Sequence, residues 1–168
     1  MTSRASLQAA PVTPKPTLLW LALAGLVNGI FGGVVALVYL TLDGLLRGDG
    51  PWRFANLFAG GWYPGRARHF GFSWATMTGI AAAIVVAGIV GILFAFLLRR
   101  TLQRRWLRTA GALLLGFSFY YLGLEYLWSD LNPRLVVFQP FPGLLFAHLI
   151  FGFTMALLPR VLHEIRPS

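Results

Sequence analysis

Four apolar runs dominate this sequence: Leu18 to Leu42, Phe72 to Leu98, Thr109 to Trp128, and a shorter one from about Phe141 to Leu158. A helix of about 20 residues, rising 1.5 Å per residue, crosses a hydrocarbon core of roughly 30 Å. Lipid offers no water to backbone N–H and C=O groups, so each run must satisfy its own by coiling into a helix. The expected fold is an all-α integral membrane protein: one four-transmembrane-helix bundle over residues 18–158, with helices at about 18–42, 72–98, 109–128 and 141–158. Only 11% of the 168 residues are charged and 57% are hydrophobic, whereas a soluble domain carries about 25% charged residues. The first run is far longer than the 7–15-residue core of a signal peptide and ends in "YLTLDG", so it reads as an anchor.

The flanking charges set an expected orientation, because Lys and Arg are retained on the cytoplasmic side. Nine of them fall in the N-terminal tail, the second connection "RRTLQRRWLR" and the C-terminal tail, against five in the other two connections. Both termini are therefore expected in the cytoplasm, with 1–17 a flexible Pro-rich lead-in and 159–168 a solvated tail carrying His163 and Glu164. Thirteen Arg against one Lys suits a GC-rich bacterial genome, so the expected location is a bacterial inner (plasma) membrane. The net charge of +9 lies between apolar runs and not on a polar domain, which argues against a nucleic-acid partner. Arg99, Arg100, Arg104, Arg105 and Arg108 read instead as lipid headgroup contacts.

In the first connection, Pro51 is placed to start a short helix whose Trp52, Ala55, Phe58 and Ala59 share a face. Trp62 and Tyr63, before a Pro64–Gly65 turn, favour the headgroup level. This segment, between helices 1 and 2, is expected to lie along the membrane interface as an aromatic anchor, or to form a lid over a site on the outer face.

Small residues then suggest how the helices pack. The second run carries Ala75, Gly79, Ala83, Ala87, Gly91 and Ala95 at every fourth position, and the first carries Gly25, Gly29 and Gly33. Such small-xxx-small rows let membrane helices approach backbone to backbone. A strict four-residue row drifts around a helix of 3.6 residues per turn, so the longer row needs a crossing partner or two partners. Asn28, within the first row, should point inward and hydrogen-bond across the bundle.

Glu125 stands alone in "YLGLEYLW", and an ionisable group inside a membrane is a functional candidate by default. It falls about one turn below Trp128, while His148 falls about two turns into the next, antiparallel helix, so the two occupy comparable depths. Ser118, Tyr121 and Glu125 share a stripe at helical spacing, and Gly152 leaves space beside His148. The candidate intramembrane polar site is thus Glu125, His148, Asn28 and Tyr121.

No catalytic motif occurs: there is no His-Glu-x-x-His, no Gly-x-Ser-x-Gly and no phosphate-binding lysine loop. Cysteine is absent and the three histidines are far apart, so neither a metal nor a cofactor is expected. The leading expectation is a non-enzymatic scaffold, assembly or accessory subunit that uses its Gly/Ala faces. Its partners would be membrane lipids and a homo-oligomer or larger membrane complex. A small transporter or proton-coupled carrier using Glu125, His148 and Asn28 is the alternative, and a holder of a cofactor or pigment through His148 is a third.

Overall fold

The computed structural model describes residues 17–67, 69, 71–100, 104–139 and 141–165. The expected N-terminal lead-in and the last three residues lie outside these. Among the described residues all regular structure is helical. Among these residues three helices are long and apolar enough to cross a membrane, or four if a bent pair near the C-terminus counts as one.

Helix α1 (Leu18–Leu46) starts at Thr17, whose hydroxyl accepts from the Trp20 N–H, and runs 29 residues. Gly48 and Gly50, both at positive φ, turn the chain into α2 (Arg53–Phe58) and two 3-10 turns. Helix α3 (Trp74–Leu98) begins where Thr76 Oγ1 accepts from the Ser73 N–H at 2.9 Å. Helix α4 (Arg105–Leu122) continues into a π-helical segment, Gly123–Trp128, and the short α5 (Ser129–Leu131). Pro133 at its first turn and Asn132 at its cap start α6 (Pro133–Phe138). The last two elements are α7 (Phe141–Met155) and α8 (Leu158–Ile165).

The long helices form an open row, α3 on α1, α1 on α7 and α7 on α4, while α3 and α4 meet sparsely. The glycines explain the tight α1–α3 seam. A methyl added at Gly25 would lie 2.7 Å from the Gly91 carbonyl oxygen, and one at Gly29 2.5 Å from that of Ala87. Two elements share the long row of α3. Ala87, Gly91 and Ala95 face α1, and Gly79 abuts the backbone of Ala55 in α2.

Two expectations from sequence need correcting. The segment between helices 1 and 2 is not spread on a surface: Phe54, Ala55, Asn56, Leu57, Phe58 and Ala59 are all buried, so α2 plugs one end of the row. Its apolar residues surround the helix instead of lining one face, and such a helix is enclosed by protein. Residues 159–165 are likewise no solvated tail. Pro159 cannot donate to the helix and its ring crowds the preceding turn, so the chain bends by 46°. Helix α8 then lays Leu158 and Leu162 against Leu21, Ala24 and Ala95, leaving His163 and Glu164 exposed.

Candidate functional site

The sparse contact between α3 and α4 leaves a hollow of about 100 Å³ inside the row. Nearer the basic connection the two helices are bridged, with the Phe94 and Phe119 rings 6.4 Å apart edge to face and Leu98 packed near Gly111. Toward the plug they part. Ala83, Val86 and Val90 of α3 line the hollow on one side and Phe119 and Trp128 on the other, with Phe54 and Phe58 of the plug as its roof.

Among the described residues His148 is the one titratable side chain in this wall. Its Nδ1 lies 2.8 Å from the Leu144 carbonyl oxygen; a carbonyl only accepts, so Nδ1 carries the proton and a neutral imidazole keeps Nε2 as an acceptor. The rings of Phe119 and Tyr120 hold the imidazole at centroid distances of 5.9 and 5.5 Å. Backbone contact fixes the height of α7 on α4: a methyl at Gly116 would meet the His148 carbonyl oxygen at 2.6 Å, and one at Gly152 that of Ala112 at the same distance. The space expected beside Gly152 is therefore filled by α4, and the hollow lies on another side of the imidazole.

Glu125 and Tyr121 are not part of this wall. Both are exposed, and among the described residues Glu125 enters no ion pair with His148 or any other side chain. The inward stripe of α4 is Ala112, Gly116, Tyr120 and Gly123, offset from the expected Ser118, Tyr121 and Glu125. The π-helical segment then adds a residue to the turn, which brings Trp128 inward onto Phe58 at 5.0 Å. Glu125 contributes its backbone carbonyl, which accepts from Ser129 Oγ at 2.8 Å.

The amide nitrogens of the buried asparagines are engaged in construction. All three asparagines of the chain, Asn28, Asn56 and Asn132, are at most 3% exposed, and each donates its amide to main-chain carbonyls. Asn28 Nδ2 donates to the Thr154 carbonyl at 3.1 Å, beside the bend between α7 and α8. Asn56 donates to the carbonyls of His69 and Gly71 and accepts from Thr76 Oγ1 at 2.7 Å. Asn132 donates to those of Leu57 and Phe58 while its Oδ1 accepts from the Leu135 N–H. The last two tie the plug to the start of α3 and to the segment before α6. Burial of an unpaired amide is costly, so this placement ties the connection to the long helices.

Above the plug lies a charged rim. Asp43 pairs with Arg47 at 2.9 Å, Asp49 pairs with Arg53, and Arg53 also donates to the Phe138 carbonyl at 2.5 Å. At the other end, Arg99, Arg100, Arg104 and Arg105 are exposed and Arg108 is half-buried. No group of three His, Cys, Asp or Glu able to hold a metal occurs among the described residues.

Sequence reasoning missed Asn56, Asn132 and the Ala112–Gly116 step of α4. The last was readable by the small-xxx-small rule already applied to α1 and α3. The asparagines carried no such signal, since their partners are main-chain atoms of distant segments.

Fold and site together define a class, an all-helical chain with three to four helices able to span a membrane and a hollow at their centre. No protein-family model matches the chain, and neither the curated proteins nor the solved structures compared with it give a match.

Proposed function

We propose that this is a non-enzymatic, multi-pass protein of a bacterial inner membrane, with both termini cytoplasmic, that holds a small lipid-soluble molecule in the hollow against His148. The observation that carries this reading is the hollow itself: an apolar wall with a single imidazole among its described lining residues, where α3 and α4 part toward the plug. A cavity of about 150 Å³ accepts a benzene-sized guest in a soluble protein, so a space of about 100 Å³ suits one small ring or a few methylenes. The free acceptor at Nε2 favours a guest carrying a hydroxyl or N–H donor. A tetrapyrrole needs a pocket of several hundred Å³, which sets the pigment reading aside.

The scaffold reading rested on Gly/Ala rows that would face a partner, and those rows are spent within the chain on α1–α3 and α2–α3 contacts. The carrier reading asked Asn28 and Glu125 to line a path with His148. Asn28 is held by Thr154 and Glu125 faces outward, so neither supports it.

The test is binding in the purified full chain. Mass spectrometry of protein gently extracted from its own membrane should find a small apolar molecule in stoichiometric amount, lost in Ala83→Leu and kept in Glu125→Gln. The reading fails if Ala83→Leu, still folded, retains the same molecule, or if only bulk lipid is recovered.

A further inference from the structure

Opposite the plug, a second recess of about 470 Å³ runs between the first turn of α4 and the bend that joins α7 to α8. Its rim brings together Arg105 and Arg108 of α4 with Arg160 of α8, residues more than fifty positions apart, and its floor includes Phe153 and Leu157. Among the described residues no acidic side chain lines it. Trp106, exposed at 70%, stands at its edge, and indole rings favour the headgroup level of a bilayer.

The charge placement is unusual for a protein alone. The N-terminal end of a helix carries partial positive charge and is stabilised by anions, not cations. Here the cap is Arg104, whose side chain makes no capping bond, and the first turn contains no acid. Arg105 and Arg160 bring two exposed cations to the same recess, and a phosphate between them offsets both penalties.

We propose that this recess is a specific site for an anionic phospholipid, its phosphate held by Arg105, Arg108 and Arg160 and its acyl chain laid along Phe153 and Leu157. The occupant is a lipid because the recess joins a cationic rim to an apolar floor at one end of membrane-length helices; a soluble phosphate would leave that floor uncovered. Diffuse attraction of the whole basic connection would involve Arg99 and Arg100 equally, yet neither lines the recess. The site shares the membrane setting of the function proposed above and is independent of any guest at His148, so Ala83→Leu should leave it intact.

The experiment is native mass spectrometry of the full chain in mild detergent, titrated with phosphatidylglycerol, with phosphatidylcholine of the same acyl chains, and with glycerol phosphate. One phosphatidylglycerol should bind in preference to phosphatidylcholine, and glycerol phosphate at equal concentration should not displace it. Arg160→Gln should weaken retention on the order of fivefold, as should Arg105→Gln, while the double variant Arg99→Gln/Arg100→Gln, which removes more charge, should stay within about twofold of the parent. Equal retention of the two lipids, displacement by glycerol phosphate, or a larger effect from the Arg99/Arg100 pair than from Arg160 would each overturn the site. Should Arg160→Gln not fold, the three-ligand comparison on the unaltered chain still decides, and the melting temperature should rise more with phosphatidylglycerol than with phosphatidylcholine.

Discussion

Helix α3 presents small residues to two neighbours and the outcomes are opposite. Against α1, Ala87, Gly91 and Ala95 meet Gly25, Gly29 and Gly33, and the backbones touch. Against α4, Ala83 faces a wall holding Phe119 and Trp128, and a hollow remains. Small residues close a seam when both faces are small. Opposite a large, stiff aromatic they leave a space, because the ring holds the helices apart while filling only part of the gap.

The comparison breaks first at the tight seam. Gly91→Leu drives a side chain into the Gly25 carbonyl and the Gly29 backbone, and should cost about 3 kcal/mol or more, seen as loss of monodisperse protein after detergent extraction. Ala83→Leu makes a comparable insertion at the hollow, one carbon smaller, and should change stability by less than about 1 kcal/mol, since the added atoms enter existing space. If the two variants lose the same stability in a thermal challenge, α3 has no open side. The roof gives a sharper measure. Asn132→Ala strands the carbonyls of Leu57 and Phe58 and should cost about 2 kcal/mol, with faster proteolysis in the connection before α3. Asn28→Ala, which removes the amide bond to Thr154, should cost about 1 kcal/mol. Glu125→Gln should alter the melting midpoint least, within about 0.5 kcal/mol, because the side chain is exposed.

The long helices were legible because lipid-length apolar runs leave the backbone few alternatives, and α1 against α3 was legible because glycine spacing states its own purpose. The plug was not. A stretch such as "RFANLF" reads as amphipathic or as buried depending on what surrounds it, and its surroundings come from residues near 76 and 132. The site was half legible. His148 stood out as an ionisable group in an apolar run, but its presumed partner Glu125 depended on helical phase, and the π-helical segment together with the Gly116 contact sets that phase differently. An offset of one to two positions in the inward stripe is enough to turn a carboxylate outward.

The asparagine bonds also impose an order on biosynthesis. Leu57 and Phe58 emerge early, yet the amide that satisfies their carbonyls belongs to a residue about 75 positions later, or roughly 4–15 seconds of translation at 5–20 residues per second. Asn28 waits longer still, for a carbonyl 126 positions downstream. A nascent chain stalled before its final helices thus carries an unfastened roof and a polar amide still without its acceptor.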